Sequence, residues 1–214
     1  MLKGAIFDFD GTLVDSMFIW DTIGDVYLRS VGKEPHEDLK AAFVPLTLEQ
    51  AAQYFRDHYD VQFTVKEIVD GINGMVEVLY RTKVTLKPNI ENYLQYLKDK
   101  GARMCVATVT DRYLVEETLE RLGIREYFSE IFTCAEVGSG KDKPIIYRKA
   151  LEHLGTSKNE TYVFEDSLFA LNTAKADGFL TVGAYDLHED GQIELQNLAD
   201  YYIKSYSDSI LKTI

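Results

Sequence analysis

The spacing of apolar residues changes character twice along the chain. Gly4 to Phe9 is a short apolar run without Pro, which suits a central strand buried on both faces. From Ser16 to about Lys83 the period turns helical. Met17, Trp20, Ile23 and Tyr27 recur at three- and four-residue steps, with Asp21 and Asp25 between them. Thr47-x-x-Gln50 and Thr64-x-x-Glu67 both have the form of a capping box that opens a helix. After the second, Val65, Ile68, Ile72, Val76 and Leu79 mark one apolar face. Gly71 and Gly74 weaken that helix, each by about 1 kcal/mol relative to Ala, and point to a close neighbour or a break. Only Val61 to Phe63 has strand character here, so the stretch reads as an all-helical insertion.

From Pro88 onward strands alternate with helices. Helices are predicted over Ile90–Lys98, Arg112–Leu122, Pro144–Leu154 and Leu168–Ala176, each followed closely by a Gly. Strands are predicted over Ala102–Val109, Glu130–Glu136, Thr161–Phe164, Leu180–Ala184 and Tyr201–Ile203. Repeated strand–helix units imply an α/β fold, a doubly wound parallel sheet with helices on both faces. The expected organisation is an α/β core of residues 1–15 and 84–214, with residues 16–83 as a helical domain inserted after the first strand. Ligands of such sheets bind outside the carboxyl ends of the strands.

Composition narrows the picture. The chain has 214 residues, enough for a sizeable core, and a net charge of −12, which argues against non-specific nucleic-acid binding. An anionic substrate would be drawn in only by local positive charge. No apolar run is long enough to span a bilayer, and the first residues lead straight into a strand, so neither a membrane span nor a secretory signal is expected. Cys105 and Cys134 both fall in predicted strands and read as small buried side chains, which suits a reducing cytoplasmic location.

Candidate chemistry gathers at strand ends. Asp8 and Asp10 stand where the first strand should stop, followed by Gly11 and Thr12. Asp and Gly are ordinary turn residues, so the letters alone also fit an acidic turn. Two carboxylates that close repel, and a divalent cation with hard oxygen ligands would offset them; magnesium takes a few carboxylates plus phosphate oxygens. The second central strand ends Ala107-Thr108-Val109-Thr110, where a hydroxyl and successive backbone N–H groups can hold a phosphate. Thr110 and Asp111 read as caps of the next helix. Lys141 and Lys143 lie in the loop Gly138–Pro144, and Glu165 and Asp166 follow the apolar strand that ends at Phe164.

Asp8-x-Asp10-Gly11-Thr12-Leu13 resembles the first motif of the haloacid dehalogenase-like (HAD) superfamily, most of whose members are magnesium-dependent phosphotransferases. The later motifs match in order over Leu2 to about Tyr185. The resemblance implies a Rossmann-like core and a helical cap. It implies Asp8 as the nucleophile that becomes aspartyl phosphate and Asp10 as general acid and base. Thr108 and the backbone of Val109 would bind phosphate together with Lys141, which Pro144 places in register in preference to Lys143. Asp142 and Ile145 depart from the Pro and Asp usual in that third motif. Magnesium would be held by Asp8, the carbonyl of Asp10 and Asp166, with Glu165 acting through a water.

On the same basis the expected activity is hydrolysis of a small phosphate monoester. A sugar phosphomutase of β-phosphoglucomutase type is the alternative. Such mutases carry a His where this chain has Trp20, and Trp cannot shuttle a proton. A more distant alternative is a receiver-like module that stores phosphate without turning it over. Trp20 and Arg56 are candidate substrate contacts from the cap. The expected partner is a small phosphorylated metabolite, with no nucleic acid or membrane, in a monomer or weak dimer. Which metabolite it is cannot be read from the residues.

Overall fold

A computed structural model describes residues 2–36, 39, 46 and 48–214. The chain divides into two compact units, Met1–Asp15 with Val84–Ile214, and Ser16–Lys83. The strands of the first unit are β1 (Gly4–Phe7), β2 (Val14–Asp15), β3 (Thr85–Leu86), β4 (Arg103–Thr108), β5 (Ile131–Thr133), β6 (Thr161–Glu165), β7 (Leu180–Ala184) and β8 (Tyr201–Ile203). Six of them form one sheet in the order β5-β4-β1-β6-β7-β8, with every neighbouring pair parallel. The chain leaves β1 toward β4 and β5, then returns to its other side for β6. This reversal puts the topological switch point at the carboxyl end of β1.

The alternation of side chains along β1 and β6 explains both layers. Ile6 and Val163 point to one face. With Cys105 and Ala107 they meet Ile146, Tyr147, Ala150 and Leu154 of the helix Ile145–Leu154. Phe7 and Phe164 point to the other face and stack on each other at 4.3 Å between centroids. Tyr93 of the helix Ile90–Asp99 lies 5.9 Å from Phe164, and Phe128 meets the edge of Phe7 at 6.0 Å. Both faces of β1 are thus closed, as its unbroken apolar letters require, and each large apolar side chain so buried contributes about 1.5–3 kcal/mol.

Local departures from expectation have local causes. β1 stops at Phe7, before the predicted Phe9, because the chain turns at Asp8. The strand expected over Glu130–Glu136 keeps only Ile131–Thr133. The Thr133 hydroxyl accepts the Glu136 N–H at 3.2 Å and opens a short helix, Cys134–Val137. Cys134 is therefore half-buried in a helical turn and not in a strand, while Cys105 is buried in β4; both are free thiols. Asp186 is buried, its carboxylate 2.5 Å from the Lys87 ammonium. The two-stranded ribbon of β2 and β3, pairing Val14 with Leu86 and Asp15 with Thr85, carried no pattern long enough to predict.

The second unit contains the helices Phe18–Ser30, Leu48–Tyr59 and Val65–Thr82. The Thr64–Glu67 capping box is formed in both directions, at 3.2 and 2.8 Å. Thr47, the first residue of the other proposed box, lies outside the described residues. The helix from Val65 runs unbroken through Gly71 and Gly74 and buries Ile68, Ile72, Val76 and Tyr80. At Gly71 a Cβ would stand 3.0 Å from Tyr27 Cε2, so this glycine lets two helices approach; at Gly74 it would meet nothing. Val61 to Phe63 forms no strand. No described helix is long and apolar enough to cross a membrane.

Leu154, buried at the foot of the helix behind β1, gives a test of this packing. Leu154→Ala is expected to lower stability by about 2–5 kcal/mol, measured as a reduced urea midpoint with an unchanged m-value.

Candidate active site

The end of β1 shapes the site. The Asp8 N–H still donates to the Phe164 carbonyl at 2.9 Å, so Asp8 is held in the sheet although the strand has ended. Beyond it the chain closes a tight turn. Leu13 and Val14 N–H both donate to the Phe9 carbonyl, at 2.9 and 3.1 Å, and Gly11 N–H donates to the Val14 carbonyl at 2.9 Å. Gly11 sits at φ +73°, and a Cβ there would lie 2.2 Å from Asp166 Oδ2. Only glycine meets both demands. The next residue, Thr12, donates its hydroxyl to Asp166 Oδ1 at 2.8 Å, and its carbonyl accepts the Tyr206 hydroxyl at 3.1 Å.

Two strand ends and one loop then converge. Asp8 follows Ile6 in the alternation of β1, and Glu165 follows Val163 in β6, so both carboxylates come to the face covered by the helix Ile145–Leu154. The loop before that helix carries Lys141. Its ammonium is buried and bonded to both Asp8 Oδ1 and Glu165 Oε1. Tyr147, from the same helix, donates its hydroxyl to Glu165 Oε1 at 3.0 Å. Asp8, Glu165 and Asp166 each present a carboxylate oxygen within 4.8 Å of the others.

Of the residues expected here, Asp8, Lys141, Glu165 and Asp166 are thus brought together. Lys143 is exposed. Glu165 is more directly engaged than expected, as a partner of Lys141 inside the acid cluster. Thr108 is fully buried at the end of β4, and its hydroxyl accepts the Thr110 N–H at 3.0 Å; Val109 beside it is 63% exposed. Asp10 accepts the Thr110 hydroxyl on Oδ2 at 2.5 Å. The expected capping role of Thr110 and Asp111 is not seen: the helix Arg112–Arg121 begins at Asp111 with no side-chain cap. Trp20 and Arg56 belong to the helical unit, and both are exposed. No role in the site was read from the sequence for Thr12, Thr110 or Tyr147. Thr12 had a signal, its place inside the Asp8–Leu13 motif, whereas Tyr147 had none beyond an apolar helix position.

The electrostatics are unbalanced. Asp8, Asp10, Glu165 and Asp166 are all buried or nearly so, against the one ammonium of Lys141. Burial, then the Glu165 charge, pushes the Asp8 carboxyl up to about 8 against the pull of Lys141. Burial and the neighbouring Asp8 and Glu165 hold Asp166 well above the carboxylate range. For Lys141 burial acts downward, but Asp8 and Glu165 outweigh it and keep the ammonium charged. This cluster of carboxylate oxygens, short of positive charge, fits a hard divalent cation.

The acid–lysine cluster lies at the switch point of a doubly wound α/β sheet, where such sheets bind their ligands, and comparison with known proteins narrows the chemistry. A family model described as haloacid dehalogenase-like hydrolase matches residues 5–184. The chain belongs to the haloacid dehalogenase-like hydrolase family. It is 24% identical over 196 residues to a phosphorylated carbohydrates phosphatase of Thermotoga maritima, covering 91% of each chain. It is 30% identical over 196 residues to a glyceraldehyde 3-phosphate phosphatase of Methanothermobacter thermautotrophicus, covering 80% of this chain and 82% of that one. Its fold is similar to the crystal structure of a Thermotoga maritima protein provisionally described as a β-phosphoglucomutase, with a TM-score of 0.86, 24% identity, and 99% and 98% of the two chains covered.

Two outcomes test the site. Gly11→Ala should cost at least about 1 kcal/mol of stability from backbone strain and weaken magnesium binding by displacing Asp166, read by urea denaturation and calorimetry. The raised Asp8 pKa gives the second. Between the ordinary carboxylate range and about pH 8 the folded protein holds a proton that the unfolded chain has released. Its contribution to stability is therefore lost as pH rises through that window. A dication competes with the same proton. Magnesium should raise the melting temperature more at about pH 8 than at about pH 5, measured by thermal melts with and without chelator.

Proposed function

We propose that this phosphoric monoester hydrolase is magnesium-dependent and works through an aspartyl phosphate on Asp8. The observation that carries the reading is the buried Asp8 carboxylate clamped by Lys141 beside Glu165 and Asp166, at the switch point of the sheet. A cation held by Asp8, the Asp10 carbonyl and Asp166 would screen the anionic cluster and the phosphoryl oxygens. The chain's own groups then do the following. The free carboxylate oxygen of Asp8 attacks phosphorus, and the bond to the ester oxygen breaks as Asp10 gives that oxygen its proton. Water next attacks the phosphorus of the acyl phosphate. Asp10 takes the proton of the water, and the Asp8 carboxylate is released with inorganic phosphate. Two easier steps replace one hard one. Lys141 neutralises charge on the nucleophile and on the phosphoryl group throughout, with Glu165 and Tyr147 fixing its position. Thr108 and the Val109 N–H complete the phosphate seat.

The substrate class is a small phosphorylated carbohydrate or polyol. The Thermotoga and Methanothermobacter relatives named for such substrates support it. The helical unit Ser16–Lys83 is the cap. It supports this reading that the unit is inserted between β2 and β3, directly after the turn carrying Asp8 and Asp10. Closure of a cap would exclude water during the first step and select the substrate.

A panel of phosphate esters with magnesium tests the reading. Turnover is expected for small sugar and polyol phosphates. Chelator should abolish it and magnesium restore it. Asp8→Asn should lower kcat by several orders of magnitude without unfolding the protein. Rapid-quench mass spectrometry should find the phosphoryl group on the peptide containing Asp8. A phosphorylated chain that never turns over would instead favour a phosphate-storing module. Conversion of one sugar phosphate to its isomer would favour the mutase.

A further inference from the structure

Thr110 stands just past the end of β4, where its letters resemble a helix cap. Its hydroxyl is not used that way. The helix Arg112–Arg121 begins at Asp111, and its first turn is closed by backbone bonds from Leu114 and Val115 to the Asp111 carbonyl. Instead the Thr110 hydroxyl donates to Asp10 Oδ2 at 2.5 Å, across 100 residues of sequence. That is a short, direct hydrogen bond.

The donor is itself held. Thr110 N–H is bonded at 3.0 Å to the hydroxyl of Thr108, which is fully buried in β4. With its backbone fixed and a β-branched side chain of few rotamers, Thr110 presents its hydroxyl to Asp10 in one geometry. A carboxylate held through one oxygen by such a donor is fixed in its rotamer, and that sets where its other oxygen lies.

We propose that Thr110 is a positioning residue for the acid–base step. It fixes the rotamer of Asp10 by holding Oδ2, so that Oδ1 is the oxygen that serves the leaving group. The same chain of bonds ties Asp10 to Thr108, and so aligns the acid with the seat of the phosphoryl group. The inference rests on the phosphatase reading above. In the first step the Asp8 oxygen–phosphorus bond forms, the phosphorus–ester oxygen bond breaks, and the Asp10 Oδ1 proton moves to the ester oxygen, releasing the alcohol. Thr110 gains and loses no atom.

A leaving group that needs no proton should be indifferent to Thr110. The test compares kcat/KM for an alkyl ester, β-glycerophosphate, with that for p-nitrophenyl phosphate, in the wild type, Thr110→Val and Thr110→Ser. Because kcat/KM reports the first irreversible step, the shared hydrolysis of the acyl phosphate does not mask the contrast. Thr110→Val should lower the alkyl ester value by roughly tenfold to a hundredfold and the p-nitrophenyl value by less than about threefold. Thr110→Ser should restore most of the loss. Magnesium affinity by calorimetry should stay within about twofold of the wild type, since Thr110 contacts no proposed ligand carboxylate other than Asp10, which offers its carbonyl. Equal losses with both esters, no loss with the alkyl ester, or a serine variant no better than valine would overturn the proposal. Should the valine variant not fold, Thr110→Ala against Thr110→Ser makes the same comparison. Wild-type protein that hydrolyses neither ester refutes the phosphatase reading itself, and the role of Thr110 falls with it.

Discussion

The constraint behind this structure is a surplus of buried negative charge at one point of the sheet. Asp8, Asp10, Glu165 and Asp166 lie within two neighbouring strand ends, and among the described residues Lys141 is the cation bonded to Asp8 and Glu165. Removing carboxylates from water costs several kcal/mol each unless they are paired, protonated or bound to a metal. Folding by itself cannot recommend such a cluster. Its stability comes from the layers behind it: the Phe7–Phe164 stack on one face and the packing of Ile6, Val163 and Leu154 on the other. The apolar sheet holds in place a set of charges that would otherwise move apart.

Register makes the cluster. Phe7 pairs with Phe164, so the residues one step on, Asp8 and Glu165, share the face from which Lys141 and Tyr147 approach. A slip of one residue would send Glu165 to the opposite layer and leave Lys141 with half its partners. The same alternation that fills the core therefore also places the chemistry. At the edge of the site the buried Lys87–Asp186 pair works in the same sense, joining the segment after β3 to the loop after β7. Breaking such a pair on one side would leave a buried charge alone, so it fixes two loops relative to the sheet.

Much of this could be read from the letters, and the reasons differ by residue. The strand–helix alternation after Pro88 was legible because each strand from β4 to β7 is an apolar run that follows a helix closed near a glycine. Asp8, Asp10 and Asp166 were legible because strand ends are where such sheets do chemistry, and because their motifs are short and local. Thr110, Tyr147 and Asp186 were not. Each depends on a partner far away in sequence: Asp10, Glu165 and Lys87. A threonine after a strand looks the same whether it caps a helix or clamps an acid. The Cys134 segment misled for the opposite reason, since its β-prone letters were overruled by one hydroxyl cap from Thr133.

Lys141 shows how far a local register can carry a tertiary outcome. The stretch from Gly138 to Ile145 has Asp142 and Ile145 where the motif resemblance leads one to expect a Pro and an Asp. Both changes fall on the outward side, where Asp142, Lys143 and Ile145 are all exposed. The distance from Pro144 back to the lysine is kept, and Pro144 still precedes the first turn of the helix. That helix is locked to β1 and β4 by Ile146, Ala150 and Leu154. With its start fixed by the core, the lysine three residues before Pro144 has one place to go, between Asp8 and Glu165. Asp142 and Ile145 change what solvent meets, and the residue that reaches the acids is set by the packing of the helix against the sheet.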